Sequence, residues 1–180
     1  MPVLFVCMGV SGSGKTTLAT MIAKRHRLAF VDADDDHGPA NRKKMANGTP
    51  LTDADRGPWM DAVCRRLGAL ARRGAHCALA HSGLRSADRE RLRKLGFRTV
   101  FLHLDAEYAA IAERLAARKN HFMPPGLLQS QFAVLQPPSG EPDVCRIDAA
   151  LPVASILDIV KPIVESHLHG GLPTPESAAS

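Results

Sequence analysis

The chain has 180 residues, 45% hydrophobic and 23% charged, which fits one globular domain with a core of its own. Its formal charge is +5, yet no run of five or more Lys/Arg occurs and aromatics reach only 4%, so the footprint of a nucleic-acid binder is missing and an anionic small substrate accounts better for the excess. No apolar run approaches roughly 18 residues and Met1–Met8 lacks a basic leader, which argues against a membrane span or partner and against a secretory signal.

Val3–Met8 reads as a buried strand, followed by a glycine-rich turn and a helix over 15–26. A second strand is expected at 29–32 and a helix over 37–47. A longer helix starts at Thr52–Asp55, where a capping residue precedes first-turn acids, and runs to Arg73 with Trp59, Val63, Leu67 and Leu70 at helical spacing. There follow a strand at 75–80, a charged helix at 86–94, a strand at 99–104 and a helix over 106–118 with Ile111 and Leu115 on one face. A loop at 119–125, a helix at 127–135, a strand at 144–148 and a last helix at 153–167 complete the pattern. Strands alternating with helices predict an α/β fold, a five-stranded parallel sheet flanked by helices. Cys7, Cys64, Cys77 and Cys145 form no C-x-x-C pair; they read as free thiols, mostly in the core, and suit a reducing, cytoplasmic setting.

Gly9-Val10-Ser11-Gly12-Ser13-Gly14-Lys15-Thr16 fits G-x-x-x-x-G-K-[ST] between a strand and a helix, the context of a nucleotide phosphate loop. Gly9, Gly12 and Gly14 allow the backbone to turn N–H groups toward phosphate oxygens at the positive end of the helix. Lys15 is expected to reach the β- and γ-phosphates of ATP and Thr16 to offer a hydroxyl to Mg²⁺, with Ser11, Ser13 and Thr17 completing the nucleotide contacts. No N-K-x-D guanine motif is visible, and the short remaining chain favours a small metabolite or nucleotide kinase. Residues 1–168 are thus expected to form a single P-loop kinase domain with a lid near 118–125, and residues 169–180, rich in Gly, Pro, Ser and Ala, a disordered tail.

Asp32-Ala33-Asp34-Asp35-Asp36-His37 follows the second strand, at the end of a parallel sheet where ligands bind. On an extended backbone Asp32 and Asp34 face one side; Asp32 is assigned to hydrated Mg²⁺ and Asp34 to orienting the acceptor hydroxyl and accepting its proton. Asp35 and Asp36 read as a solvated acidic loop or a helix cap. Arg114 and Arg118 lie four apart on one helix face before the 119–125 loop, and are expected to bring positive charge onto the transferring phosphoryl group as the lid closes.

Together these residues resemble the gluconokinase family over about residues 4–165. The most specific stretch runs Asp32-Ala33-Asp34-Asp35, His37, Asn41, Lys44-Met45, Gly48, Pro50-Leu51, Asp53, Asp55-Arg56 and Pro58-Trp59; Arg114-Leu115, Arg118-Lys119 and His121-Phe122 match the lid, and Gln131-Phe132 and Leu135 the helix after it. The resemblance implies a fold of the nucleoside-monophosphate-kinase/shikimate-kinase type, ATP–Mg, transfer to the 6-hydroxyl of D-gluconate, and a homodimer. On that basis Arg56 offers a planar fork to the substrate carboxylate, and His37 and Asn41 offer hydrogen bonds to sugar hydroxyls, while Lys44, Met45 and Trp59 read as structural. The chain departs from the family pattern C-S-A-L-K at His81-Ser82-Gly83-Leu84-Arg85, where Arg85 stands for the lysine, and also at Gly38, Ala133 and Gln136. These changes lie where substrate or lid would touch. They leave two alternatives: a related kinase for another hydroxylated metabolite, or an ATP-binding regulator without catalysis. A nucleotide kinase of the same fold is the third reading.

Overall fold

The computed structural model describes residues 1–117 and 125–170. Five strands form one sheet: β1 (Val3–Met8), β2 (Ala29–Asp32), β3 (Cys77–Ala80), β4 (Arg98–Asp105) and β5 (Val144–Asp148), in the order β2-β3-β1-β4-β5, every neighbouring pair parallel. The central strand β1 is buried along its whole length, as its unbroken apolar sequence requires when both faces are covered.

Helices α1 (Lys15–His26) and α7 (Val153–His169) cover one face, where Leu18, Ile22, Ile156, Val160 and Val164 pack on Phe5, Cys7 and Leu102. Helices α3 (Asp53–Arg72) and α4 (Ser86–Arg93) cover the other, where Trp59, Met60, Val63, Leu67 and Leu92 pack on Leu4, Val6, Leu79 and Phe101. A third cluster joins α5 (Tyr108–Ala116) and α6 (Pro125–Val134) to Val10 and Leu84 above the carboxyl ends of the strands. α2 (Pro39–Ala46) completes that rim. α3 starts on a full capping box, in which Thr52 and Asp55 satisfy each other's backbone N–H.

The structure differs from the sequence expectations at several ends. The helix expected over 37–47 begins only at Pro39. Proline occupies the first helical turn and holds Gly38 extended. Residues Ala33–Asp36 instead form a 3-10 turn, so Asp32 and Asp34 do not alternate along extended backbone; Asp32 is the cap of that turn and accepts the Asp34 N–H. α7, expected over 153–167, runs through His169 and ends at Gly170 in the left-handed region. The expected lid segment 118–124, with Arg118, and the tail 171–180 lie outside the described residues.

Candidate active site

The loop between β1 and α1 turns on glycines with positive φ. Gly9 (φ 145) sits so close to the Leu104 carbonyl that a Cβ would lie 2.6 Å from it, and Gly12 would place one 3.0 Å from Leu115 of α5. Two expected N–H donors are spent within the protein: Gly9 donates to Ser82 O at 3.1 Å and Ser13 to Val10 O at 3.2 Å. Gly9 therefore shapes the loop and ties it to the segment after β3. The Ser11 N–H donates to the side-chain carbonyl of Gln131 in α6 at 2.6 Å, a contact the sequence reading missed. The Ser13 hydroxyl is buried without a partner among the described residues. Gly14 caps α1, whose first residues are Lys15, Thr16 and Thr17. The Lys15 ammonium folds back onto Val10 O at 2.9 Å. Burial lowers its pKa, and the nearby Asp34 and Asp32 carboxylates oppose that shift.

Thr16 Oγ1 donates to Asp32 Oδ2 at 2.9 Å. A hydroxyl and a carboxylate oxygen together at the foot of the loop suit a hard divalent cation that keeps several waters and takes further oxygens from phosphates. Among the described residues no group of three or more His, Cys, Asp or Glu side chains forms an all-protein metal cage.

Asp34 is exposed at the turn after β2, and its Oδ1 lies 3.8 Å from His37 Nε2. Burial lowers the His37 pKa, and Asp34 opposes that. The His37 ring stacks on Trp59 at 4.5 Å between centroids, and Trp59 in turn stacks on His81 at 5.0 Å. Trp59 Nε1 donates to Ala33 O at 2.6 Å, so this indole holds the acidic turn in place. Arg42 holds the same turn, donating Nε to His37 O at 2.8 Å and Nη2 to Asp35 O at 2.7 Å.

Asn41 engages one of its two amide N–H groups within the protein. Its Nδ2 donates to Asp55 O at 2.9 Å and ties α2 to the first turn of α3. Lys44 pairs with the Asp55 carboxylate at 2.7 Å, as its structural reading anticipates. Arg56 and Arg85, from α3 and from the start of α4, converge on Asp53: Arg56 Nη1 lies 3.3 Å from its Oδ1 and Arg85 pairs with the same oxygen. Burial and the charge of Arg85 lower the Arg56 pKa, with Asp53 opposing. Two guanidiniums thus meet on one oxygen of an exposed carboxylate.

Arg114 donates Nη2 to Ala149 O at 2.7 Å, beside the loop that Leu115 packs against. The structure brings Lys15, Thr16, Asp32, Asp34 and His37 to one rim of the sheet, with Arg56 and Arg85 on the α3 side.

Comparison with known proteins places this geometry. The family described as AAA domain matches residues 4–138. The gluconokinase of Gluconobacter oxydans (strain 621H) is 44% identical over 147 residues, 81% of this chain and 82% of that protein. Among solved structures, a sugar kinase from Janibacter sp. HTCC2649 superposes with a TM-score of 0.85 at 36% identity, covering 92% of this chain and 95% of that one. A gluconokinase from Sinorhizobium meliloti 1021 superposes with a TM-score of 0.81 at 36% identity, covering 95% and 98%.

Proposed function

The chain belongs to the gluconokinase family of P-loop kinases, and on that premise we propose that it transfers the γ-phosphoryl group of ATP to the 6-hydroxyl of D-gluconate, giving 6-phospho-D-gluconate and ADP. The observation that carries the acceptor class is the convergence of Arg56 and Arg85 on one carboxylate, on the same rim as Asp34 and the nucleotide loop.

The substrate carboxylate replaces Asp53 between the two guanidiniums, and this orients the far hydroxyl toward Asp34. The hydroxyl oxygen attacks the γ-phosphorus in line, its proton passes to an Asp34 oxygen, and the bond from the γ-phosphorus to the β,γ-bridging oxygen breaks. Lys15 turns from Val10 O to the β- and γ-oxygens and stabilises charge there. Thr16 and Asp32 would hold Mg²⁺, which when bound neutralises charge on the phosphate oxygens. His37, neutral through burial, offers a hydrogen bond beside Asp34. Arg114, fixed to Ala149 O, and Arg118, beyond the described residues, are assigned to the nucleotide side, with the lid near 118–125 closing over it to exclude water.

A homodimer and a cytoplasmic setting complete the reading. The first rests on the family resemblance. The second is supported by four cysteines outside any disulfide and by the lack, among the described residues, of a helix long and apolar enough to cross a membrane. ADP release with ATP–Mg against D-gluconate, other aldonates, free sugars and nucleoside monophosphates tests the function. Turnover on D-gluconate well above the rest is expected. Turnover confined to nucleoside monophosphates, or ATP binding with no turnover, overturns it.

A further inference from the structure

His81 is only 1% exposed and stands where the sequence departs from the family pattern. Its ring is parallel to Trp59 within 6°, and the other indole face carries His37 within 11°. The Gly83 N–H donates to His81 Nδ1 at 2.9 Å. A neutral imidazole nitrogen that accepts carries no proton, so the proton sits on Nε2. That Nε2–H is buried and has no acceptor among the described residues. Burial, and after it the charge of Lys15, holds the ring neutral, with a pKa of about 3.

The surrounding segment is built to keep this arrangement. Gly83 has φ 59, and a Cβ there would come within 2.9 Å of the Met8 side chain, so the residue that fixes the tautomer is one that only glycine fills without strain. Arg89 Nη1 holds the Gly83 carbonyl at 2.8 Å. The His81 N–H donates to Cys7 O, and the next carbonyl, Ser82 O, accepts from Gly9 of the phosphate loop. The ring thus stands between the nucleotide loop and the Trp59–His37–Asp34 series. Its flexible charged neighbour is Lys15, folded back onto Val10.

A buried N–H without an acceptor is costly and is retained where something pairs it during the working cycle. We propose that His81 is a specificity-determining residue, its Nε2–H donating a hydrogen bond to an oxygen of the acceptor alcohol once the cleft is filled. This rests on the acceptor reading above. It selects a polyhydroxylated acid with an oxygen at that depth, and a deoxy analogue would leave the N–H unpaired.

The test uses the full chain and two variants. His81→Asn keeps an oxygen to accept the Gly83 N–H but removes the Nε2 donor; His81→Gln returns an N–H near the Nε2 position. Trp59, the single tryptophan, lies against His81 and gives a fluorescence titration of acceptor binding independent of turnover. Expected are a KM and a fluorescence Kd for D-gluconate raised about tenfold in His81→Asn, substantial rescue in His81→Gln, an unchanged KM for ATP, and melting temperatures close to the parent's. An unchanged D-gluconate KM in His81→Asn overturns the proposal. So does an equal rise in the ATP KM, which would put the donor on a phosphoryl oxygen, or failure of Gln to rescue while both variants stay folded. If the parent turns over another alcohol and not D-gluconate, the functional reading above fails, and the same Asn-against-Gln contrast on that alcohol decides the role of His81 separately.

Discussion

The side-chain carbonyl of Gln131 accepts the backbone N–H of Ser11 at 2.6 Å, so a residue of α6 occupies a donor of the nucleotide loop. A phosphate oxygen that took the Ser11 N–H would have to displace that amide oxygen. Nucleotide binding must then break this bond. Gln131→Ala is expected to tighten ATP binding about threefold to tenfold, the worth of one neutral hydrogen bond, as read by calorimetric titration. Weaker ATP binding in that variant would instead mean that Gln131 helps to hold the nucleotide.

Asp34 is the one carboxylate of the acidic turn that is both free at the rim and beside His37. Asp34→Asn retains the size of the side chain but removes the proton acceptor. kcat is expected to fall by about 10²- to 10⁴-fold, with ATP affinity within about twofold of the parent's. Turnover at the parent's rate would remove Asp34 from the chemistry.

Arg56 and Arg85 share Asp53, and each charge-assisted contact is worth about 1.5–3 kcal/mol to a buried anion. Arg56→Ala and Arg85→Ala are each expected to raise the D-gluconate KM about tenfold to a hundredfold while leaving the ATP KM in place. Steady-state kinetics with glucose in place of gluconate supplies the control. An uncharged sugar gains nothing from the clamp, so the two variants should treat it as the parent does.

Stability should fall as the solution is acidified from neutral. His81 stays neutral in the folded protein down to about pH 3, whereas in the unfolded chain it titrates near the ordinary imidazole value of about 6.5. Between those values the unfolded state binds more protons, so this contribution is fully present above about 6.5 and is lost as pH falls toward 3. The slope from one such group is at most about 1.4 kcal/mol per pH unit. His37 and His103, also lowered by burial, act in the same direction. Urea unfolding at pH 7.5 and pH 5.5 should show the loss, and His81→Asn should lessen it; an unchanged pH slope in that variant would place the acid sensitivity elsewhere.

The nucleotide loop and the Asp32–Thr16 pair were legible because their residues are neighbours in sequence or follow strands β1 and β2, whose carboxyl ends face the same rim of a parallel sheet although β3 lies between them. The turn at Ala33–Asp36 was not, since Gly38-Pro39 delays α2 and leaves the preceding residues to close on Asp32. The His37–Trp59–His81 stack joins three separate segments through ring faces. Trp59 looked like a core residue because it is one; that its two faces carry imidazoles depends on packing, which no periodicity encodes. In sequence the departure at Gln136 lies far along the chain from those at His81, Gly83 and Arg85. In the structure they adjoin one segment: Gln136 N–H donates to Leu84 O at 2.7 Å, and its side-chain oxygen accepts from Ser86 N at 2.7 Å at the start of α4.

Arg89 holds that segment from below. It is 1% exposed, donates Nη1 to Gly83 O, and pairs with Glu141, whose carboxyl its hydrogen bonds hold down to about 2. Arg93 joins the same carboxylate and Asp143. Glu141 is only partly buried and keeps Arg93, so removing Arg89 costs less than the roughly 3–5 kcal/mol of breaking a fully buried pair. Arg89→Ala is therefore expected to lower the melting temperature by about 10 °C, given about 2–4 °C per kcal/mol for a chain of this size. Because the Gly83 carbonyl is released as well, His81 loses its fixed ring, and the D-gluconate KM should rise in the molecules that remain folded. The double variant Arg89→Met with Glu141→Gln removes both charges together. It should recover most of the melting temperature but not the KM, since nothing then holds Gly83. Recovery of both would mean that the ion pair serves stability alone.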